Sequence, residues 1–243
     1  MSVEIHELKK IDLRDAIILD GFPSVGLVSS IVANYVITAL GLEQIAIVDS
    51  EYFPSVALVR DWEPLNPVRV YGGEVNEKVK IAVFVSEFQM PVPIIKPLSS
   101  LILDWMDEKR ASLIVTPEGL IIEEKKDKVD VYGVGSTEYA AKKLPEYVLK
   151  FEEGVITGVT GVLLTEGKKR GRDVVALLAE AHPDYPDARA AARIVEVLND
   201  MLGAVKIDPK PLYEEAESIE RNIEEIRKKA SQVKKVPKNY MYA

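Results

Sequence analysis

Few residues in this chain are equipped for chemistry. There are two histidines, His6 and His182, and no cysteine. That excludes disulfides, thiolate catalysis and cysteine-ligated zinc or iron–sulfur sites, and leaves little for a histidine-based metal centre. The segment GFPSVG, Gly21 to Gly26, stands where a strand hands over to a helix, a place where free N–H groups and the positive helix end favour phosphate or carboxylate. It lacks the lysine of a phosphate loop and the spacing of a dinucleotide fingerprint, so a tight turn is the stronger reading. Glu87 and Gln89, in SEFQMP, sit at a strand's carboxyl end, where α/β folds place ligands. His182, Asp184 and Asp187, in HPDYPD, form either an acid/base cluster or a helix-opening turn, and prolines with capping aspartates favour the turn. Lys168, Lys169, Arg170 and Arg172 read as a basic loop, for an anion, an acidic partner or plain solvation. No nucleophile stands beside a base, so the residues define no catalytic set.

A different kind of chemistry sits at the end. Met241-Tyr242-Ala243 puts an apolar residue and a tyrosine before a terminal carboxylate, which suits docking into a pocket with a cation or a nest of N–H groups. With 10 Tyr in 243 residues and 47% hydrophobic composition, such a pair arises there by chance at about 2%. The tail therefore gains weight only if the rest of the chain points the same way.

The elements that must position these residues follow from periodicity. Apolar, β-branched runs at 16–19, 44–48, 56–59, 68–71, 80–85 and 112–115 predict strands. VGLVSSIVANYVITAL, from Val25 to Leu40, predicts a buried helix with Ser24 as N-cap and Gly41 as stop. Pro97 to Arg110 predicts a second helix, with Ser99 or Ser100 near its start. Thr137 to Leu149 suits a helix interrupted by Pro145. Short strands are expected at Val155 to Thr157 and Val162 to Thr165, then a polar loop from Glu166 to Arg172. Val174 to Ala179 predicts a buried strand, and Ala188 to Leu202 a helix with Ala191, Ile194, Val195 and Leu198 on its apolar face. Strands alternating with helices imply an α/β fold, with a mostly parallel or mixed sheet covered on both faces.

From Leu212 the pattern changes. Leu212, Ala216, Ile219, Ile223, Ile226, Ala230 and Val233 recur at spacings of 4 and 3, a heptad seam with acidic residues early and basic residues late, as the helix dipole prefers. Such a seam packs on its own domain, on a neighbouring helix or on a copy of itself, the first being the commonest fate of a terminal helix. Pro237 stops it, leaving a tail that spans roughly 20 Å when extended. The expected organisation is an α/β domain over 1–207, a helical arm over 208–236 and a docking tail over 237–243.

Composition narrows the function classes. The formal net charge of -8 argues against wholesale nucleic-acid binding. No run has the apolar length of a membrane span, and charges in MSVEIHELKKIDLRD occupy the place of a signal peptide's apolar stretch, so a cytoplasmic location is expected.

GFPSVGLVSSIVANYVITAL, SEFQMP and AEAHPDYPDARAAARIVEVLNDMLGAVKIDPKPLYEEAE resemble the archaeal members of the proteasome assembly chaperone family, over nearly the whole chain. The resemblance implies a three-layer α/β fold similar to nucleoside phosphorylases. It implies the 20S proteasome α-ring as partner, self-association into a homo-oligomer, no cofactor and no enzymatic activity. In proteasomal activators and chaperones a C-terminal hydrophobic-Tyr-any motif enters the pockets between adjacent α-subunits, where the carboxylate meets a lysine. Met241, Tyr242 and Ala243 match those three positions. The expectation is an assembly chaperone or an ATP-independent activator, with a sister protein of the family as another possible partner. The rival is a nucleoside-phosphorylase-like or ATP-grasp-like enzyme holding an anionic or nucleotide ligand at the Gly21–Gly26 turn.

Overall fold

The computed structural model describes residues 3–122 and 128–233, with side chains in the last helix up to Ile223. In chain order the strands are β1 (Val3–Glu7), β2 (Ile17–Gly21), β3 (Glu43–Ser50), β4 (Leu58–Arg60), β5 (Glu63–Leu65), β6 (Val68–Asn76), β7 (Val79–Ser86), β8 (Leu113–Ile121), β9 (Val131–Gly135), β10 (Leu149–Lys150) and β11 (Val174–Ala181). The helices are α1 (Val28–Leu40), α2 (Val92–Lys109), α3 (Glu138–Ala141), α4 (Gly158–Arg170), α5 (Ala188–Leu202) and α6 (Lys210–Val233). Nine strands form one sheet in the order β1-β3-β6-β7-β2-β8-β11-β9-β10. Its centre, β7-β2-β8-β11, is parallel, while β1, β3 and β6 on one side run antiparallel to their neighbours, and on the other side β9 is antiparallel to β11 and parallel to β10.

Side-chain alternation divides the core into two layers. On β2, Ile18 faces one layer and Leu19 the other; on β7, Phe84 and Val83 divide likewise, as do Ile114 and Val115 on β8. The layer of Leu19, Val83 and Val115 includes Val28, Val32 and Val36 of α1 and Ile194, Val195 and Leu198 of α5. The layer of Ile18, Phe84 and Ile114 includes Leu98, Ile102, Leu103 and Trp105 of α2 and Leu163 of α4, with Trp105 edge-on to Phe84 at 5.3 Å. Three layers follow, because a parallel sheet must be covered on both faces.

Several expected boundaries move. Helix α2 starts at Val92, five residues before Pro97, and carries that proline inside. Its ring removes the N–H that would have paired with the Pro93 carbonyl, one turn into the helix. Ser99 is accordingly mid-helix and donates its hydroxyl to the Ile95 carbonyl. The predicted helix from Thr137 to Leu149 reduces to α3, capped by the Thr137 hydroxyl, which accepts the Ala140 N–H at 3.0 Å. Val155 to Thr157 is not a strand, and the strand and loop expected from Val162 to Arg172 are the helix α4 with its Gly171 cap. Glycines and β-branched residues hid its helical stripe, Val159, Thr160, Leu163 and Gly167. Gly167 is there for close packing, since a Cβ would meet Val174 Cγ2 at 2.7 Å. Strand β1 had no counterpart among the predicted elements.

Helix α6 begins against α5. Leu212 and Ala216 are buried, Ile219 and Ile223 half-buried. The Tyr213 hydroxyl donates to Glu196 at 2.8 Å and Arg189 pairs with Glu220 at 3.0 Å. Ile226, Ala230 and Val233 fall on the backbone of the same helix, with side chains outside the described ones, and Met241, Tyr242 and Ala243 lie outside the described residues.

Candidate functional site

Parallel pairing of β2 with β8 sets Leu19 opposite Val115. Both strands then run on to the same sheet edge, and Asp20 and Glu118 line one cavity of ≈ 390 Å³ there. Its walls also come from the Phe22–Val25 turn, from Gln89 and Met90 after β7, from the start of α2, and from Thr157, Gly158 and Val159 at the start of α4. Sequence reasoning singled out Gln89 and the turn but passed over both carboxyls, which look like ordinary strand residues.

Much of the turn's hydrogen bonding is internal. Asp20 Oδ1 accepts the Phe22 N–H at 3.0 Å, the Ser24 carbonyl accepts the Leu27 N–H at 3.0 Å, and the Ser24 hydroxyl accepts the Ser29 N–H at 3.1 Å. The α1 boundary also differs from expectation. Gly26 and Leu27 take positive φ, 59° and 53°, and make a 3-10 turn at 25–27, so Ser24 holds the α1 entry from one turn further back. The Ser29 hydroxyl donates to the Pro117 carbonyl, fixing α1 to β8. The Phe22, Leu27 and Ser29 N–H groups are thus engaged within the turn, and two carboxyls flank the place.

Electrostatics reinforce this. Burial pushes the Asp20 pKa up to about 8, partly offset by the Phe22 N–H and helped by the charge of Glu118. Loss of hydration raises Glu118 to about 7 against the opposing bond from Thr160 Oγ1 at 2.6 Å. Such groups hold protons near neutrality, and the lining has no lysine, arginine, histidine or cysteine.

The remaining candidates have structural work. Glu87 accepts from Arg69 at 2.5 and 3.1 Å and lies 3.5 Å from Arg60. Asp187 caps α5, accepting the Ala190 N–H at 3.0 Å, and its other oxygen accepts the His182 N–H at 3.0 Å and meets His182 Nδ1 at 2.9 Å. His182 stacks on Tyr185 with ring centroids 4.9 Å apart. That arrangement is a clasp, joined to Gly26 by the Asp187 N–H. The basic segment is no solvated loop: Arg170 pairs with Asp104 at 2.7 Å and Arg172 with Asp107, tying the end of α4 to α2. In a wider groove of ≈ 720 Å³ beside α5, Tyr147 bonds to Asp200 and Arg193 pairs with Glu196.

A mixed nine-stranded sheet between two helical layers, with a carboxyl-lined cavity and no nucleophile–base pair in its lining, defines a three-layer α/β protein. The chain belongs to the PAC2 family, whose model matches residues 18–227. An uncharacterized protein of Methanocaldococcus jannaschii is 30% identical over 225 residues, 93% of this chain and 91% of that one. Pyrococcus furiosus PbaA, described as an archaeal homolog of proteasome-assembly chaperone, has 32% identity and a TM-score of 0.83, covering 95% of this chain and 94% of that one. Pyrococcus furiosus PbaB, described as an archaeal proteasome activator, shares the fold at a TM-score of 0.81 and 24% identity, covering 93% and 98%.

Proposed function

We propose that this chain is a non-enzymatic proteasome assembly chaperone or ATP-independent activator that docks on the 20S α-ring through Met241, Tyr242 and Ala243. The observation that carries the reading is that three-residue match on a PAC2-family chain similar over most of its length to PbaA. Helix α6 supports it. Its first turns are clamped to α5 by Leu212, Ala216 and the Arg189–Glu220 pair. A helix of 24 residues spans about 36 Å, so α6 ends well away from that anchor. One short tail binds weakly, because only a few side chains contribute to the contact. Several tails on a homo-oligomer raise avidity by roughly two to four orders of magnitude where their spacing fits the ring. Activation would follow from tighter binding to the open gate than to the closed one. A sister protein of the family is a second candidate partner for the same tail. Location in the cytoplasm fits this role, and among the described residues no helix is long and apolar enough to cross a membrane.

The test is peptide hydrolysis by purified archaeal 20S particles, with co-sedimentation, using the full chain, a form lacking Met241 to Ala243, and Tyr242→Ala. Stimulation or co-sedimentation by the full chain alone supports tail docking. Equal binding by all three forms removes the tail mechanism, and no binding by any removes the α-ring as partner.

A further inference from the structure

The excursion between β3 and β6 carries apolar surface that the domain does not use. Strands β4 and β5 pair with each other and stand outside the nine-stranded sheet, with Leu58 opposite Leu65 and Arg60 opposite Glu63. Trp62 is at the tip, 98% exposed, and Tyr52, Val56 and Val59 of the same excursion are exposed as well. Asp61 and Trp62 both take positive φ, 49° and 70°. A two-residue hairpin turn of this hand normally uses Asn-Gly, because bulky side chains are strained there. Trp62 thus costs the single chain twice, in backbone strain and in apolar surface left in water. A two-stranded hairpin is also marginal in water without a cover. The hairpin is tied to the domain next to the cavity at the edge of β2 and β8. Arg60 lies 3.5 Å from Glu87, and Phe53 meets Phe88 edge-on with ring centroids 5.4 Å apart. Gln89 and Met90, the next residues, line that cavity of ≈ 390 Å³, as do Phe22, Val92 and Ile95. Hairpin and cavity therefore adjoin, yet Trp62 does not fill the cavity of its own chain.

We propose that two copies of this chain associate by exchanging hairpins, the Trp62 side chain of each entering the cavity lined by Phe22, Met90, Val92 and Ile95 of the other. Knob and socket belong to one chain and adjoin, so a twofold axis between two copies makes the same contact twice and leaves neither half over. The cavity has room for a ring system the size of an indole. Once buried, the indole N–H needs an acceptor, and the lining offers the side-chain oxygens of Gln89 and Glu118, which accept whether or not Glu118 holds a proton. Area favours exchange over a single insertion. One aromatic side chain removes about 150–250 Å² from water, short of the about 800 Å² per partner of a standard interface. In the exchange each chain buries both its own Trp62 and its own cavity mouth, where Val92 is 82% exposed. Such a pair supplies an oligomer for multivalent tail docking and does not depend on the tail.

Sedimentation velocity and acrylamide quenching of tryptophan fluorescence, over a range of concentrations of the full chain, test this. Of the two tryptophans Trp105 is buried in the core, so the readily quenched emission belongs to Trp62. Association should protect that emission and shift it to the blue, in step with the change in sedimentation. Trp62→Ala should weaken self-association at least about thirtyfold, the threshold of an interface hot spot. Val92→Glu puts a carboxylate at the cavity mouth and should weaken it at least about tenfold, since the charge has no partner there. Both positions are exposed, so circular dichroism melts of the variants should match the parent. Adding Trp62→Ala to Val92→Glu should restore protection of the remaining Trp62, because each variant keeps the half that the other lacks. Oligomers in which Trp62 stays fully quenchable, protection independent of concentration, a monomer throughout, or variants that associate like the parent overturn the proposal. Removing Met241 to Ala243 should leave association and Trp62 protection unchanged, so this test and that of tail docking fail independently.

Discussion

Arg69 is fully buried, and its guanidinium grips both oxygens of Glu87, at 2.5 and 3.1 Å. Arg69 Nη1 also donates to the Asn66 carbonyl at 2.6 Å, and Nε to the Tyr71 hydroxyl at 3.3 Å. The two partners are not equivalent, because Glu87 keeps contact with solvent and with Arg60 while Arg69 has neither. Glu87→Ala strands a buried charge and should destabilise the fold by about 3 kcal/mol. Arg69→Met leaves a carboxylate that can still meet water and Arg60, and should cost less. Urea denaturation of both variants checks the order, and equal or reversed costs would show that Glu87 is not the essential counter-charge.

Asp20 and Glu118 predict a decline of stability with pH. In the folded chain Asp20 titrates near about 8 and Glu118 near about 7, above their ordinary values of 3.8 and 4.5. Between those limits the folded state holds protons that the unfolded state has released. Their contribution is therefore fully present below about pH 4 and lost as pH rises through about 8. Asp20→Asn keeps the bond from the Phe22 N–H and removes its share of the decline. Relative to the parent, the variant should gain stability on going from about pH 5 to about pH 8.5, measured by chemical denaturation. A constant difference between the two proteins would place the Asp20 titration elsewhere.

Gly119→Ala tests the contact between the turn and β8. A Cβ at Gly119 would stand 2.2 Å from the Val25 carbonyl oxygen, which is backbone and cannot rotate away. The 25–27 turn must move, at a cost of about 3 kcal/mol, at the upper end of ordinary overpacking. Gly73→Ala, whose Cβ would meet only Leu42 Cδ2 at 3.5 Å, should lie within about 1 kcal/mol of the parent, the entropy scale of a strand glycine. Thermal melts of the pair read the difference.

Leu212→Ala should cost about 3 kcal/mol locally, because the side chain is 2% exposed at the base of α6. Hydrogen exchange would show lost protection over 210–223 while α1 and the central strands keep theirs. Undiminished protection over 210–223 would mean that Ala216 and the Arg189–Glu220 pair suffice to hold the helix.

Extending the chain beyond Ala243 by two glycines probes the tail without touching the fold. Docking by the terminal carboxylate requires that this extension remove 20S stimulation and co-sedimentation as completely as loss of Met241 to Ala243. Retained binding would assign recognition to the Tyr242 side chain alone.

The strand–helix alternation, the all-buried run of β11, the HPDYPD turn opening α5 and the helix α6 were legible because each is a local pattern, a period of two or 3.6 closed by proline, glycine or a capping aspartate. Family membership was legible for the same reason: it lies in contiguous motifs. The α4 segment misled because its glycines and valines have poor helix propensity, and only packing against α2 and β11 outweighs that. Basic residues at 168–172 looked like a solvated loop until α2 supplied Asp104 and Asp107 across the layer. The cavity was out of reach of the sequence altogether. Asp20 and Glu118 are separated by nearly a hundred residues, and nothing local distinguishes either from a solvated carboxyl. Parallel pairing of β2 with β8 brings them to one sheet edge, and the layers on either side exclude water, and it is that exclusion which raises their proton affinity.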